Sequence, residues 1–90
     1  MVDDADELCA RVGRRIGELR ERAGITQRQA AEQAGIEVAN YQRIENGSQN
    51  LTLRTMAAIA AVFELPVTAL FEEPTDTVKK RSRGRPKKAV

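Results

Sequence analysis

Apolar side chains recur along most of this chain with the period of an α-helix, and then the rhythm stops. Leu8, Val12, Ile16 and Leu19 form one stripe, which predicts a first helix over about residues 6–23. Gly13 and Gly17 weaken that helix and permit close packing, and Gly24 caps its end. Thr26 is a suitable N-cap for a short second helix, about 27–34, whose inner face of Ala30, Ala31 and Ala34 is small. Gly35 then forces a tight turn, because glycine takes a left-handed backbone cheaply. A third helix is expected over about 37–46, with Tyr41 and Ile44 inward, stopped by Asn46-Gly47-Ser48. Thr52 caps a fourth, with an expected buried stripe of Leu53, Met56, Ala57, Ala60 and Phe63. Pro66 fits the first turn of a fifth helix, where Leu70 and Phe71 close the core. Nothing reads as a strand, and the pattern is lost after Glu72-Glu73-Pro74. The expected fold is all-α: a compact five-helix domain over 6–73, then a linker and a disordered basic tail over 74–90.

Charge divides the chain at the same place. Residues 1–76 carry 8 Arg and no Lys against 13 acids, a net of −5, whereas residues 77–90 carry 4 Lys and 3 Arg with no acid, a net of +7. The two halves have different electrostatic tasks. Composition narrows the class further. No apolar run approaches the roughly 20 residues of a membrane span. The acidic start, Asp3 to Glu7, is the opposite of a secretory n-region. A cytoplasmic protein without membrane contact is expected. Cys9 is the single cysteine, so neither an internal disulfide nor a cysteine zinc cluster can form, and it reads as a small packing residue. There is no histidine, and no nucleophile–base pair or metal-ligand cluster can be assembled. The carboxylates read as solvated helix faces. An enzyme and a cofactor are therefore not expected.

Two short helices joined by a glycine turn describe a helix-turn-helix. The stretch ITQRQAAEQAGIEVANYQRIENG, residues 25–47, resembles the lambda-repressor-like, Cro-like (Xre-like) helix-turn-helix family. The matching features are Thr-Gln at the start of the second helix, Ala31, Gly35 in the turn, and Arg43-Ile44-Glu45-Asn46-Gly47. The next helix, in NLTLRTMAAIAAVFELPVTALF, is similar too, so the resemblance covers about residues 8–71. It implies that the third helix lies in the major groove and touches base edges. The base-reading positions implied are Glu37, Val38, Ala39 and Arg43, with Asn40 and Gln42 as neighbours. Arg43 suits guanine, whose O6 and N7 accept two guanidinium bonds; Glu37 suits a cytosine amino group, or else complements the helix dipole; Val38 and Ala39 suit a thymine methyl. Gln27 is implied to bond a phosphate at a helix N-terminus, with help from Arg28, and Ser48, Gln49 and Asn50 lie in a loop that approaches phosphate or is an ordinary polar turn. Arg20 and Glu45 resemble the family's internal ion pair between the first and third helices. Tyr41 departs from the pattern, standing where the family has an aliphatic residue, and its hydroxyl needs a partner.

The tail, KKRSRGRPKK, contains Arg83-Gly84-Arg85-Pro86 flanked by Lys79, Lys80, Arg81, Lys87 and Lys88, and it resembles an AT-hook. Such a segment lies extended in the narrow minor groove of A·T tracts, where negative potential is concentrated and arginine is inserted. Its rivals are a generic phosphate-binding tail and a nuclear-localisation signal.

Together these features predict a sequence-specific, nucleoid-associated regulator of transcription, bacterial or phage-type. Its partner is double-stranded DNA, and it binds a palindromic operator as a homodimer because one short helix reads few bases. Phe63, Leu65, Val67 and Leu70 form the expected dimer surface, or else merely fill the core. A phage-type repressor, a restriction–modification controller and an antitoxin with a protein partner all remain open. The alternative class is a protein-interaction module whose main DNA contact is the tail.

Overall fold

The computed structural model describes residues 3–74. The AT-hook-like segment, with Arg81, Arg83, Gly84, Arg85, Pro86, Lys87 and Lys88, lies outside these residues. Four α-helices follow one another: α1 (Ala5–Ala23), α2 (Gln27–Ala34), α3 (Val38–Asn46) and α4 (Leu53–Val62). A 3-10 helix, Val67–Phe71, closes the fold, and the described residues contain no strand. The expected fifth α-helix is thus a single five-residue 3-10 segment. Pro66 precedes it as the flanking residue, and the chain is extended again by Glu72, which leaves too few residues for α-helical bonding to propagate.

The helix starts follow from local chemistry. Asp4 accepts from the N–H groups of Asp6 and Glu7 at 2.8 and 3.2 Å. Thr26 and Gln29 form a reciprocal capping box, at 3.0 Å from the Gln29 N–H to Thr26 Oγ1 and 2.8 Å from the Thr26 N–H to Gln29 Oε1. Thr52 accepts from the Thr55 N–H at 3.0 Å. The core gathers Val12, Ile16 and Leu19 of α1, Ala30 and Ala31 of α2, Tyr41 and Ile44 of α3, Met56, Ile59 and Ala60 of α4, and Leu70.

The inner face of α4 differs from the expected stripe. Met56, Ile59 and Ala60 are buried and Phe63 is half-buried, while Ala57 is exposed and Leu53 is 77% exposed. Apart from Arg54 and Thr55 the helix is apolar, so several registers at helical spacing fit its sequence, and the contacts with α2 and the 3-10 helix select one. Phe71 is likewise 44% exposed and does not close the core; Leu70 does.

Glu18 is not a solvated face. It is 1% exposed and sits between two arginines of its own helix. Arg15 Nη1 donates to Glu18 Oε1 at 3.0 Å, and Arg22 Nη2 to Oε2 at 2.9 Å. Arg15 also donates to the Ala69 carbonyl at 2.9 Å and to Glu72 at 2.8 Å. This buried network fastens the 3-10 segment onto α1, and removing one charged member strands the others.

Candidate nucleic-acid interface

Seating of α3 begins with the Gly35 turn. Gly35 has φ 73°, a conformation that strains any residue with a Cβ, and its N–H bonds the Glu32 carbonyl. The Ile36 N–H then bonds the Ala31 carbonyl at 2.9 Å, which sets the exit direction towards α3. On its inner side α3 buries Tyr41 and Ile44. Its C-terminal end receives α1 at backbone distance, because Gly13 faces the carbonyl oxygens of Ile44 and Glu45 and has no side chain to hold them off.

The outer side of α3 is what remains. Glu37, Ala39, Gln42 and Arg43 are exposed, and Val38 and Asn40 are half-buried. Glu37 is the N-cap residue, but its side chain makes no capping bond, so the backbone places no demand on its carboxylate. Arg43 Nη1 donates to Asn40 Oδ1 at 2.7 Å, which couples these two side chains along the exposed face. The Arg43 carbonyl accepts from the Ser48 N–H at 3.0 Å and from its hydroxyl at 3.3 Å. Ser48 is thereby fixed at the end of α3, with Gln49 half-buried and Asn50 exposed beyond it.

A second set of bonds holds the start of α2 to α3. Arg20 Nε donates to Glu45 Oε2 at 2.7 Å, Nη2 to Oε1 at 3.3 Å, and Nη1 to the Ile25 carbonyl at 2.9 Å. The hydrogen bond it donates to Glu45 is the main reason that the Arg20 guanidinium holds its proton more tightly than usual. Gln27 Nε2 donates to Glu45 Oε1 at 3.0 Å, and Gln42 Nε2 donates to Gln27 Oε1 at 3.3 Å. A continuous chain of donors therefore runs from the exposed face of α3, through the first residue of α2, to the ion pair beneath.

The arginines divide by environment. Arg11, Arg15, Arg20 and Arg22 all pair with carboxylates. Arg14, Arg28, Arg43 and Arg54 are exposed and form no ion pair among the described residues. Arg28 and Arg54 stand in the first turns of α2 and α4, where the helix dipole disfavours a cation, and neither first turn contains an acid. Arg54 was not among the candidates from sequence. The signal for it is a cation two residues after the Thr52 N-cap, in a first turn where an acid is the usual choice. Between α4 and the end of the 3-10 helix, Phe63 and Val67 are half-buried and Leu65 is 36% exposed, whereas Leu70 is fully enclosed and is a core residue. The described residues contain no cluster of metal-ligating side chains. No helix among them is long and apolar enough to cross a membrane.

Comparison with known proteins places this arrangement. Residues 11–72 match the family described as "Helix-turn-helix domain". The fold is similar to that of the restriction-modification controller protein C.AhdI from Aeromonas hydrophila, with a TM-score of 0.69 and 25% identity over 70% of this chain and 96% of that one. It is also similar to the hypothetical transcription factor NHTF from Neisseria, with a TM-score of 0.72 and 21% identity over 89% and 92% of the two chains, a likeness of fold. No curated protein sequence matches the chain.

Proposed function

We propose that this chain, which belongs to the helix-turn-helix domain family, is a double-stranded-DNA-binding transcriptional regulator that reads a palindromic operator as a homodimer. The observation that carries the reading is the outer face of α3. It presents Glu37, Ala39, Gln42 and an arginine without a carboxylate partner, while its inner side is held by Tyr41, Ile44 and the Glu45 ion pair. A short helix fixed in this way fits the major groove. Arg43 reads guanine. Glu37, Val38, Ala39, Asn40 and Gln42 meet the neighbouring base edges. Gln27 and Arg28 grip phosphate at the start of α2, and Ser48, Gln49, Asn50 and Arg54 grip it around the start of α4. Arg28 and Arg54 stand where their charge opposes the helix dipole, and an external anion offsets that cost.

Two halves of the palindrome require two copies. Leu65, exposed between the half-buried Phe63 and Val67 in sequence, supports a dimer contact in the stretch that joins α4 to the 3-10 helix. The basic segment 77–90 lies beyond the family match and serves as a second grip, in the A·T minor groove or on phosphate. The likeness to C.AhdI favours a controller-type regulator over a phage-type repressor or an antitoxin.

The test is Arg43→Ala in the full chain. Binding is expected to weaken by about 1–3 kcal/mol on the preferred duplex, with relaxed preference at a single base position, as befits the loss of a bidentate guanine contact. An unaltered preference at every position would remove Arg43 from base reading.

A further inference from the structure

An exposed arginine ordinarily keeps the rotamer freedom of its long side chain. Of the exposed arginines without an ion pair among the described residues, Arg14, Arg28 and Arg54 form no side-chain hydrogen bond there either. Arg43 is held. Its Nη1 donates to Asn40 Oδ1 at 2.7 Å, the short end of the range for such bonds.

That bond occupies one side of the guanidinium and leaves the other. Nε and Nη2 form a parallel fork, and in Arg43 this fork has no partner among the described residues. Arg20 shows the same division inside the fold. Its Nη1 is tied to the Ile25 carbonyl at 2.9 Å, while Nε and Nη2 close on the Glu45 carboxylate at 2.7 and 3.3 Å. Guanine offers O6 and N7 to a fork of this kind. Asn40 itself is not explained by the helix. Alanine inside α3 would favour the helix more. The Asn40 side chain caps nothing and bonds no backbone group among the described residues; its oxygen goes to Arg43, one turn on.

We propose that Asn40 is a positioning residue that sets base specificity through Arg43, its Oδ1 anchoring Nη1 so that the Nε–Nη2 fork is presented to a guanine. The specificity rests on the function proposed above; the anchoring itself does not. A guanidinium ordered before contact loses less freedom on binding, and a fixed fork favours a base with two acceptors over a base with one. Guanine preference therefore gains more than overall affinity. The Asn40 amide N–H groups stay available to a neighbouring base edge.

The anchoring is measured first, on the full chain without DNA. The rate at which the Arg43 guanidinium turns about its Nε–Cζ bond, read from its Nη resonances by NMR, is expected to rise about fivefold in Asn40→Ala, the worth of one ordinary hydrogen bond. Asn40→Asp keeps the acceptor and is expected to turn as slowly as the wild type. Equal rates in the wild type and Asn40→Ala overturn the proposal. Selection from random duplexes then reads the specificity. Arg43→Ala identifies the base position that Arg43 reads. At that position Asn40→Ala is expected to lower the guanine preference about fivefold, with the fold intact because alanine favours the helix. Asn40→Asp is expected to retain the preference, while its charge weakens binding to all sequences alike. In the Arg43→Ala background, Asn40→Ala is expected to leave that position unaltered. A position that depends on Arg43 but not on Asn40 overturns this inference and leaves the proposed function standing. If no position depends on Arg43, base reading by Arg43 falls, and the specificity role of Asn40 falls with it. A merely structural asparagine would shift stability and leave base preference where it was.

Discussion

Tyr41 shows how much one atom settles at the residue scale. Its ring packs as the aliphatic residue expected there would, and its hydroxyl alone distinguishes it. Burial raises its pKa well above the ordinary tyrosine value, and the adjacent Glu45 carboxylate raises it further. The linkage follows from the sign of that shift. A phenol that ionises less readily folded than unfolded contributes stability in full below the unfolded value, about pH 10, and loses it as the pH rises beyond. At about pH 11, one unit above the unfolded value, phenolate absorbance is therefore expected to appear only together with loss of helical signal. Ionisation with the helices intact would contradict the enclosure of this side chain. Sequence located Tyr41 in the core, since it falls at the inward spacing with Ile44. It read Glu18 with the other carboxylates as a solvated face and was silent about Arg15, because charged residues at helical spacing look alike whether solvated or buried, and the distinction lies in what Ala69 and Glu72 bring to Arg15 from more than fifty residues away.

At the scale of elements, the approach of α1 to α3 decides whether α3 is fixed. A methyl group at Gly13 would collide with the Ile44 carbonyl oxygen and lie 2.8 Å from that of Glu45. Backbone cannot yield as a side chain end can, so α1 would have to move away and disturb the Arg20–Glu45 pair with it. In an open helix Gly→Ala gains about 1 kcal/mol from propensity. Here Gly13→Ala is expected to destabilise by about 1–3 kcal/mol, the range for overpacking, as measured by urea unfolding. A gain in stability would show that the two helices are not in backbone contact. The ends of α1, α2 and α3 were legible because Gly24, Gly35 and Gly47 mark them, and Thr26 marks the start of α2; the Asp4 cap of α1 was not read, and α3 has no capping side chain to read. α4 was legible as a helix but not in its orientation, since apart from Arg54 and Thr55 it is apolar all round and its sequence marks the inner face only weakly. The 3-10 segment was read as an α-helix because Pro66 and an apolar pair signal a start without specifying length.

For the whole molecule, the division of charge carries the account. In the proposed function, a domain with an excess of carboxylates meets DNA through a few arginines without ion-pair partners among the described residues, and the remaining attraction is assigned to the basic segment 77–90. Its deletion is expected to weaken binding most on sites flanked by A·T tracts. It should also flatten the dependence of log K on log salt by up to about 6, from seven cations at about 0.9 each. Equal losses on G·C-flanked sites would leave only a non-specific phosphate grip. The central claim, a dimeric major-groove reader, is tested most directly by selecting random duplexes with the full-length protein at fixed physiological salt and sequencing what is retained. The account predicts a palindromic consensus with half-sites one helical turn or a multiple apart, flanked by A·T-rich sequence. Enrichment of A·T tracts without a palindrome would contradict it. That result would make the basic segment the main DNA contact and α3 a surface for some other partner.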